Sequence, residues 1–160
     1  MQFTVKSRFN AKEYTYLDIE KKDYLMVSIS DRGTLANMFA KDPHMKDVCF
    51  LYFDDVDNTN KAMHLEDAQR ILETLDRCIE EIEEIIVHCT AGVSRSAGTC
   101  AALMKILTDD DSQIFDSPRF RPNKHCYRTV LDAYFGSYTK PEFVPKRYPH
   151  IDKYRKTHNV

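Results

Sequence analysis

The 160-residue sequence lacks the features that mark membrane and secreted proteins. No apolar run approaches the roughly 20 residues that a membrane-spanning helix needs. The N-terminus has no charged leader followed by an apolar block, so the sequence predicts no secretory signal. It contains neither an internal repeat nor a low-complexity segment. With 42% hydrophobic and 30% charged residues, the composition is typical of a soluble globular protein, and we expect one domain over residues 1–160.

The sequence also lacks a disulfide framework and a metal-ligand spacing. Its five cysteines are an odd number at irregular spacing, which favours a reducing, cytoplasmic compartment over an oxidising one. The histidines show none of the spacings that zinc sites use. We therefore expect no metal and no other cofactor.

The net charge of −2 conceals an uneven distribution. Residues 1–110 carry 13 basic and 20 acidic side chains, whereas residues 111–160 carry 10 basic and 5 acidic ones. The basic side chains of the second segment are scattered and are not regularly interleaved with aromatic residues, so a solvated surface is the better interpretation. We expect no nucleic-acid site, no membrane association and a monomer.

Hydrophobic patterning predicts an α/β protein. Buried strands alternate with helices, an order that favours a largely parallel sheet covered on both faces. The strands are predicted at 24–30, 48–53 and 84–88, and the helices at 34–41, 62–82, 95–107 and 124–136. Asn123 is the predicted N-cap of the last helix. We expect the tail from residue 137 to be irregular and to pack across the body of the protein.

One segment combines a cysteine, a glycine and an arginine directly after a predicted strand. Cys89 and Arg95 are six positions apart with Gly92 between them. The strand delivers the cysteine, a tight loop turns amide N–H groups back, and a helix begins at the arginine. Backbone donors, a helix N-terminus and a guanidinium then converge on one tetrahedral dianion. The predicted phosphate-binding residues are Thr90, Ala91, Gly92, Val93, Ser94 and Arg95.

This arrangement predicts nucleophilic catalysis on a phosphate monoester. A thiol with a pKa of about 8.5 is a poor nucleophile at neutral pH, but a helix N-terminus and a nearby arginine favour the thiolate of Cys89. Its attack on phosphorus would form a phosphocysteine, with the equatorial oxygens held by the loop amides and Arg95. The Ser96 hydroxyl can stabilise the departing thiolate in the second step. We expect His88 to order the loop by hydrogen bonding rather than to act as an acid.

An acidic cluster at a second strand end supplies candidates for the general acid. Asp54, Asp55 and Asp57 follow the strand at 48–53, where the carboxyl ends of parallel strands gather ligand-binding residues. Each could protonate the leaving oxygen and later activate water. We interpret Asp31 and Arg32, which follow the strand at 24–30, as loop residues. We interpret Arg119 and Arg121, which precede Pro122, as surface residues.

The remaining cysteines are predicted to be core residues. They lie in apolar patterns, where a thiol behaves as a small hydrophobic group. They are Cys49, Cys78, Cys100 and Cys126. One of them could form a disulfide with an oxidised Cys89, and the sequence leaves open which.

The segment from His88 to Ser96 resembles the signature of the cysteine-dependent protein tyrosine phosphatase superfamily. Its Ala-Gly-x-Ser-Arg-Ser form looks like that of the dual-specificity branch. An acidic strand end about thirty residues before the cysteine and the pair Pro122-Asn123 at the start of a helix also agree with that branch. The resemblance covers about residues 24–131.

The resemblance implies a central, mostly parallel sheet of four or five strands with helices on both faces. It also implies metal-independent hydrolysis of phosphotyrosine in proteins, with phosphoserine and phosphothreonine as further substrates. Alignment of the strand end favours Asp55 as the acid, and the separation of 32 residues between Asp57 and Cys89 keeps Asp57 as an alternative. The chain has no tryptophan, so the Trp-Pro-Asp loop of the tyrosine-specific branch is absent.

Two other functions stay open at this stage. The same loop could act on a non-protein monoester such as an RNA 5′ end or a phosphoinositide, although the absence of lysine between Cys89 and Arg95 disfavours the lipid. The protein could instead bind phosphate without turnover. Such modules usually lose the cysteine, the arginine or the acid, and all three types of residue are present here.

Overall fold

A computed structural model of the chain describes residues 1–137 and 139–160. Four strands form one sheet: β1 (Gln2–Ser7), β2 (Tyr24–Ser30), β3 (Met45–Tyr52) and β4 (Glu84–Cys89). All neighbouring pairs are parallel and the strand order is β1-β4-β2-β3. Strand β4, which carries Cys89 at its end, therefore lies inside the sheet between β1 and β2.

Six helices connect and cover these strands in the described part of the chain. They are α1 (Arg8–Tyr16), α2 (Leu65–Cys78), α3 (Arg95–Thr108), α4 (Ser112–Phe115), α5 (Lys124–Phe135) and α6 (Pro149–Thr157). Within residues 1–137 and 139–160, none of the helices has both the length and the apolar character that a membrane crossing requires.

The side chains of the strands alternate between two packed faces. On β2, Leu25 and Val27 belong to the main core with the apolar side chains of α2, α3, α5 and α6. Tyr24 and Met26 point to the opposite face, where they pack with Ala11 of α1. Because both faces are buried, β2 is apolar at nearly every position, as expected for an inner parallel strand. The predicted α/β sheet with helices on both faces is confirmed.

Most of the predicted elements are present with small changes in their bounds. The strand predictions at 24–30 and 84–88 are confirmed, whereas the strand predicted at 48–53 is Met45–Tyr52. The helix predicted at 62–82 is shorter, Leu65–Cys78. Helix α5 begins after Asn123, whose side chain accepts a hydrogen bond from the Cys126 amide at 2.9 Å, so the predicted N-cap is confirmed.

The helix predicted at 34–41 is wrong. This segment follows an irregular path across the face that α1 covers. The Asn37 amide donates to the Arg8 carbonyl at 3.1 Å, and the Ala40 N–H donates to Thr15 Oγ1 at 2.9 Å. The Phe39 ring also stacks on Phe50 at 6.0 Å. These tertiary contacts pair the Ala40 N–H and partly bury the Phe39 ring, and they override the helical pattern of the segment.

The tail is irregular only in part. Helix α6 occupies Pro149–Thr157, which contradicts the prediction for those residues. Proline suits the first turn of a helix, and Asp76 Oδ1 accepts the amides of His150 and Ile151 at 2.9 and 2.8 Å. The side chain of Ile151 is fully buried in the main core, so the predicted packing across the body is confirmed. Residue 138, which also belongs to the predicted tail, lies outside the described residues.

Strand β1 and helix α1 lie in a part of the chain where no element is predicted. Strand β1 pairs with β4 along its full length, and Ser7 lies opposite Cys89. The Ser7 hydroxyl then accepts the Asn10 amide at 3.2 Å and begins α1. The first element of the chain therefore lies beside the segment that carries the candidate chemistry.

Candidate active site

Residues 90–94 form a tight loop that is packed against the end of β1. Gly92 has a φ of +71°, and a Cβ at this position would lie 2.6 Å from backbone atoms of Lys6 and Ser7. The Arg8 N–H donates to the Thr90 carbonyl at 3.1 Å. The loop therefore needs glycine at this position twice over, for its backbone conformation and for the close approach.

The far side of the loop is held by the segment that precedes α5. The Arg121 N–H donates to the Val93 carbonyl at 3.0 Å, and the Asn123 N–H donates to the Ser94 carbonyl at 3.0 Å. A Cβ on Gly98 would lie 2.2 Å from the Asn123 carbonyl oxygen, so α3 begins in direct contact with the start of α5. Backbone hydrogen bonds thus fix the loop from both sides.

The Cys89 sulfur is buried and surrounded by hydrogen-bond donors. Cys89 is 3% exposed, and its Sγ lies 3.1 Å from Ser96 Oγ. Burial by itself would raise the pKa of Cys89. The hydroxyl and amide of Ser96 and the amides of Gly92 and Val93 outweigh burial because they stabilise the thiolate, so the pKa lies below its ordinary value of 9.0.

The Arg95 guanidinium is buried and its hydrogen bonds are distributed unevenly. Nη1 donates to the Phe53 carbonyl at 2.7 Å and forms an ion pair with Asp31 Oδ1 at 2.7 Å. Nη2 donates to Thr90 Oγ1 at 3.1 Å. Among the described residues, Nε has no hydrogen-bond partner although it is buried. A buried donor without a partner is costly, which makes an anion the natural acceptor at this edge.

The sequence does not predict the contact between Asp31 and Arg95, and its pattern indicates only a loop position for Asp31. Asp31 directly follows β2, which is the neighbour of β4 in the sheet. The rule that carboxyl ends of parallel strands converge could have pointed to it.

Of the three aspartates, Asp55 is the one that the structure brings to the loop. Its Oδ1 accepts hydrogen bonds from Ser94 Oγ and from Asn123 Nδ2, both at 2.8 Å. Asp54 is turned elsewhere, since its Oδ1 accepts the Arg32 amide at 3.1 Å.

Asp57 lies further along the same irregular segment, with an exposed side chain. The next residue, Asn58, has a φ of 51° and its Oδ1 lies 3.2 Å from His125 Nδ1. The other ring nitrogen, Nε2, lies 2.8 Å from the Met63 carbonyl. Helix α5 therefore anchors this segment at two points. Within the described residues, Asp57 makes no hydrogen bond to loop 90–94.

His88 is fully buried beneath the loop, on the face of the sheet that α1 covers. Nδ1 lies 3.2 Å from the Cys89 carbonyl, which can only accept, so this nitrogen carries the proton. Nε2 then accepts from the Ser28 hydroxyl at 2.7 Å. Burial lowers the pKa of His88 to about 4, so the ring is neutral near pH 7. A neutral ring with both nitrogens bonded fits the predicted ordering role.

The other cysteines are buried, as predicted, and none of the five forms a disulfide in the described chain. Burial raises the pKa of Cys78 and of Cys100 to about 12, the opposite direction from Cys89. The predicted surface placement of Arg119 and Arg121 is also confirmed, since both residues are exposed. Among residues 1–137 and 139–160, no three His, Cys, Asp or Glu side chains are grouped as a metal site would require.

Comparison with solved structures defines the fold as that of the dual-specificity phosphatases. No protein-family model matches the sequence, and no curated protein matches it significantly. The structure of human DUSP28 has a TM-score of 0.57 at 14% identity, over 88% of this chain and 95% of that one. DUSP15 has a TM-score of 0.54 at 16% identity, over 96% and 90% of the two chains.

A third similar structure is that of Tk-PTP in its active form. Its TM-score is 0.51 at 14% identity, and the match covers 81% of this chain and 90% of that one. At these identities the similarity concerns the fold, and it confirms the resemblance inferred from the loop between β4 and α3 at that level.

Proposed function

We propose that the protein is a cysteine-dependent phosphatase that hydrolyses phosphate monoesters in proteins. Phosphotyrosine is the principal substrate, and phosphoserine and phosphothreonine are further ones. One observation carries the proposal: a buried sulfur with a lowered pKa and a buried Arg95 donor that has no partner among the described residues lie at the two ends of loop 90–94. A structural cysteine needs neither feature.

The first step is attack of the Cys89 thiolate on phosphorus. The S–P bond forms as the P–O bond to the leaving group breaks, giving a phosphocysteine. Charge on the equatorial oxygens is stabilised by the amides of residues 90–94 and by the Nε–H edge of Arg95. Donors that are already fixed by the surrounding backbone stabilise this charge without reorganisation.

Asp55 serves as the general acid in this step. Both of its hydrogen bonds, from Ser94 and Asn123, reach Oδ1, so Oδ2 is the oxygen that carries the proton to the leaving group. The resulting carboxylate then removes a proton from water in the second step. Contact with Ser94 of the loop favours Asp55 over Asp57 and Asp54.

Ser96 acts in the second step, when water displaces the sulfur. The S–P bond breaks and negative charge returns to Sγ, which lies 3.1 Å from the Ser96 hydroxyl. A hydrogen bond to the charged form lowers the free energy of the departing thiolate.

Two observations support a protein substrate. DUSP28 and DUSP15, which share the fold, are named as dual-specificity phosphatases. The segment between Cys89 and Arg95 carries no lysine that would bind the additional phosphates of an inositol headgroup.

Hydrolysis of p-nitrophenyl phosphate tests the mechanism. We expect turnover by the wild type and none by Cys89→Ser, because the serine hydroxyl is not ionised near pH 7. Cys49→Ser, which changes another buried cysteine on β3, is the matched control and should retain activity. Turnover that survives Cys89→Ser would overturn the mechanism. A wild type that binds tungstate but shows no turnover would indicate a non-catalytic phosphate-binding module.

A substrate panel tests the specificity. We expect the highest kcat/KM with phosphotyrosine peptides and lower values with phosphoserine and phosphothreonine peptides. Faster hydrolysis of 5′-phosphorylated RNA or of a phosphoinositide would mean that this monoester, and not a phosphoprotein, is the principal substrate.

A further inference from the structure

A tight turn holds the backbone of Asp31. The Asp31 carbonyl accepts the Thr34 N–H at 3.2 Å and the Thr34 hydroxyl at 2.7 Å. Gly33, inside this turn, has a φ of +74° and open space around its Cβ position. The turn directly follows β2, so the rigid sheet sets the position from which the Asp31 side chain reaches Arg95.

The Asp31 contact completes the hydrogen bonding of one side of the guanidinium. Nη1 of Arg95 has two N–H groups, and Asp31 Oδ1 and the Phe53 carbonyl accept at 2.7 Å each. The donors that remain are Nε–H and one hydrogen of Nη2, and the Nε and Nη2 atoms share one edge of the guanidinium plane. Such an edge binds two oxygens of a tetrahedral anion at once.

We propose that Asp31 is a positioning residue, which fixes the rotation of the Arg95 guanidinium so that its Nε–Nη2 edge faces the bound oxyanion. This inference rests on the proposed function and assigns Asp31 no contact with the substrate. The ligand concerned is a tetrahedral oxyanion such as a phosphate monoester, vanadate or tungstate.

The geometry distinguishes positioning from competition. A carboxylate that competed with phosphate would occupy the Nε–Nη2 edge, whereas Asp31 binds Nη1 and Nε is unpartnered among the described residues. The Asp31 side chain is 50% exposed, so solvent screens its charge. Its effect on Arg95 is therefore mainly geometric, and an amide in the same place is a poorer acceptor for a guanidinium than a carboxylate.

The test compares two alkylating reagents at Cys89. Iodoacetate is an anion that Arg95 can orient, whereas iodoacetamide is neutral and reports the thiolate alone. We expect Asp31→Asn to lower the ratio of the iodoacetate rate to the iodoacetamide rate roughly ten-fold or more, since small displacements of a binding group have effects of that order. Asp31→Glu should restore part of the ratio. Asp18→Asn, which changes an exposed carboxylate elsewhere, should leave it unchanged.

Turnover and anion binding provide the second readout. In Asp31→Asn we expect weaker inhibition by vanadate and a kcat/KM for p-nitrophenyl phosphate that is roughly ten- to a hundred-fold lower. The acidic limb of the kcat/KM profile, which follows Cys89 ionisation, should stay close to its wild-type position. Thr34→Val, which loosens the turn but keeps the carboxylate, should give a smaller loss of the same kind.

Two results would overturn the inference while the proposed function stands. One is that Asp31→Asn has the same alkylation ratio and the same affinity for vanadate as the wild type. The other is tighter vanadate binding in that variant, which would mean that the carboxylate competes with the anion. If the wild type itself neither binds vanadate nor hydrolyses the ester, the proposed function fails first.

Discussion

The amide of Asn123 and the carboxylate of Asp55 are joined by a hydrogen bond of 2.8 Å. The side-chain oxygen of Asn123 also caps α5, and its backbone N–H donates to the Ser94 carbonyl. One residue thus connects the start of a helix, the anion-binding loop and the candidate acid. Its capping role follows from the sequence, but its bond to Asp55 does not.

Substitution Asn123→Ser separates these roles. Serine caps helices about as well as asparagine, so the free energy of unfolding should change by only about 0.5 kcal/mol. The bond to Asp55 is lost, and we expect a kcat/KM for phosphotyrosine peptides that is roughly ten-fold lower. Urea denaturation and steady-state kinetics measure the two effects. Lys124→Ser is the control at the adjacent exposed position, and equal activity of the two variants would contradict the role of the bond.

Substitution Ser96→Ala should raise the pKa of Cys89. The Ser96 hydroxyl is the largest contribution that lowers this pKa, because its hydrogen bond favours the charged form of the sulfur. The pH dependence of iodoacetamide alkylation at Cys89, followed by mass spectrometry, gives the midpoint. Ser112→Ala, at an exposed hydroxyl of α4, should show the wild-type midpoint. A midpoint shared by all three proteins would show that the hydroxyl does not stabilise the thiolate.

Substitution Asp55→Asn should lower kcat for phosphotyrosine peptides roughly a hundred-fold, because the leaving phenoxide is no longer protonated. The loss should be smaller with p-nitrophenyl phosphate, whose leaving group needs protonation less. Asp57→Asn is the matched variant and should stay within about three-fold of the wild type, a change of less than 1 kcal/mol in the barrier. A larger loss in Asp57→Asn would transfer the acid role to that residue.

Alanine at Gly92 should disrupt the loop. Both Gly92 and Gly33 have positive φ, so Gly33→Ala measures the backbone strain alone, about 1 kcal/mol. At Gly92 the new Cβ also meets the backbone of Lys6 and Ser7 at 2.6 Å, and we expect a loss of about 3 kcal/mol in unfolding free energy. Urea denaturation of both variants is the measurement. Similar losses of unfolding free energy in the two variants would mean that the backbone of β1 shifts to accommodate the added Cβ.

The buried His88 should make the fold sensitive to mild acid. Its folded-state pKa of about 4 lies below the ordinary value of 6.5, so the unfolded chain binds the extra proton between these values. The contribution of the neutral ring to stability is complete above pH 6.5 and is lost as the pH falls towards 4, by about 2 kcal/mol at pH 5.

Two measurements check this effect. In NMR titrations the ring signals of His88 should not shift between pH 7 and 5. His88→Gln should flatten the fall in unfolding free energy over the same range. A His88 signal that titrates near pH 6.5 would contradict the effect.

Much of the fold could be predicted because its elements follow from local patterns. The apolar stripe of α2, the buried runs of β2 and β4 and the Asn123 cap all depend on residues close in sequence. The segment 34–41 could not be predicted, because its path is set by contacts of Asn37 and Ala40 with α1. Those contacts exist only once β1 and α1 are in place.

The candidate site also contains residues that local sequence predicts and residues that only the tertiary structure brings together. Cys89, Arg95 and the glycine between them form one continuous motif, which the sequence displays directly. The choice among three neighbouring aspartates depends on which side chain an irregular segment turns towards Ser94 and Asn123, and no periodicity governs such a segment. The pairing of Asp31 with Arg95 depends likewise on the order of strands in the sheet.

The placement of β1 also bears on the order of events during folding. Gln2, at the start of β1, is 82 residues from its partner Glu84, at the start of β4. The other end of β1 packs directly against Gly92. Closing so long a loop costs chain entropy that the helices do not incur, and such distant pairings form slowly. During refolding we expect helical circular dichroism to recover before the sulfur reacts selectively with iodoacetate. Chemical competence would then be the last property that the chain acquires.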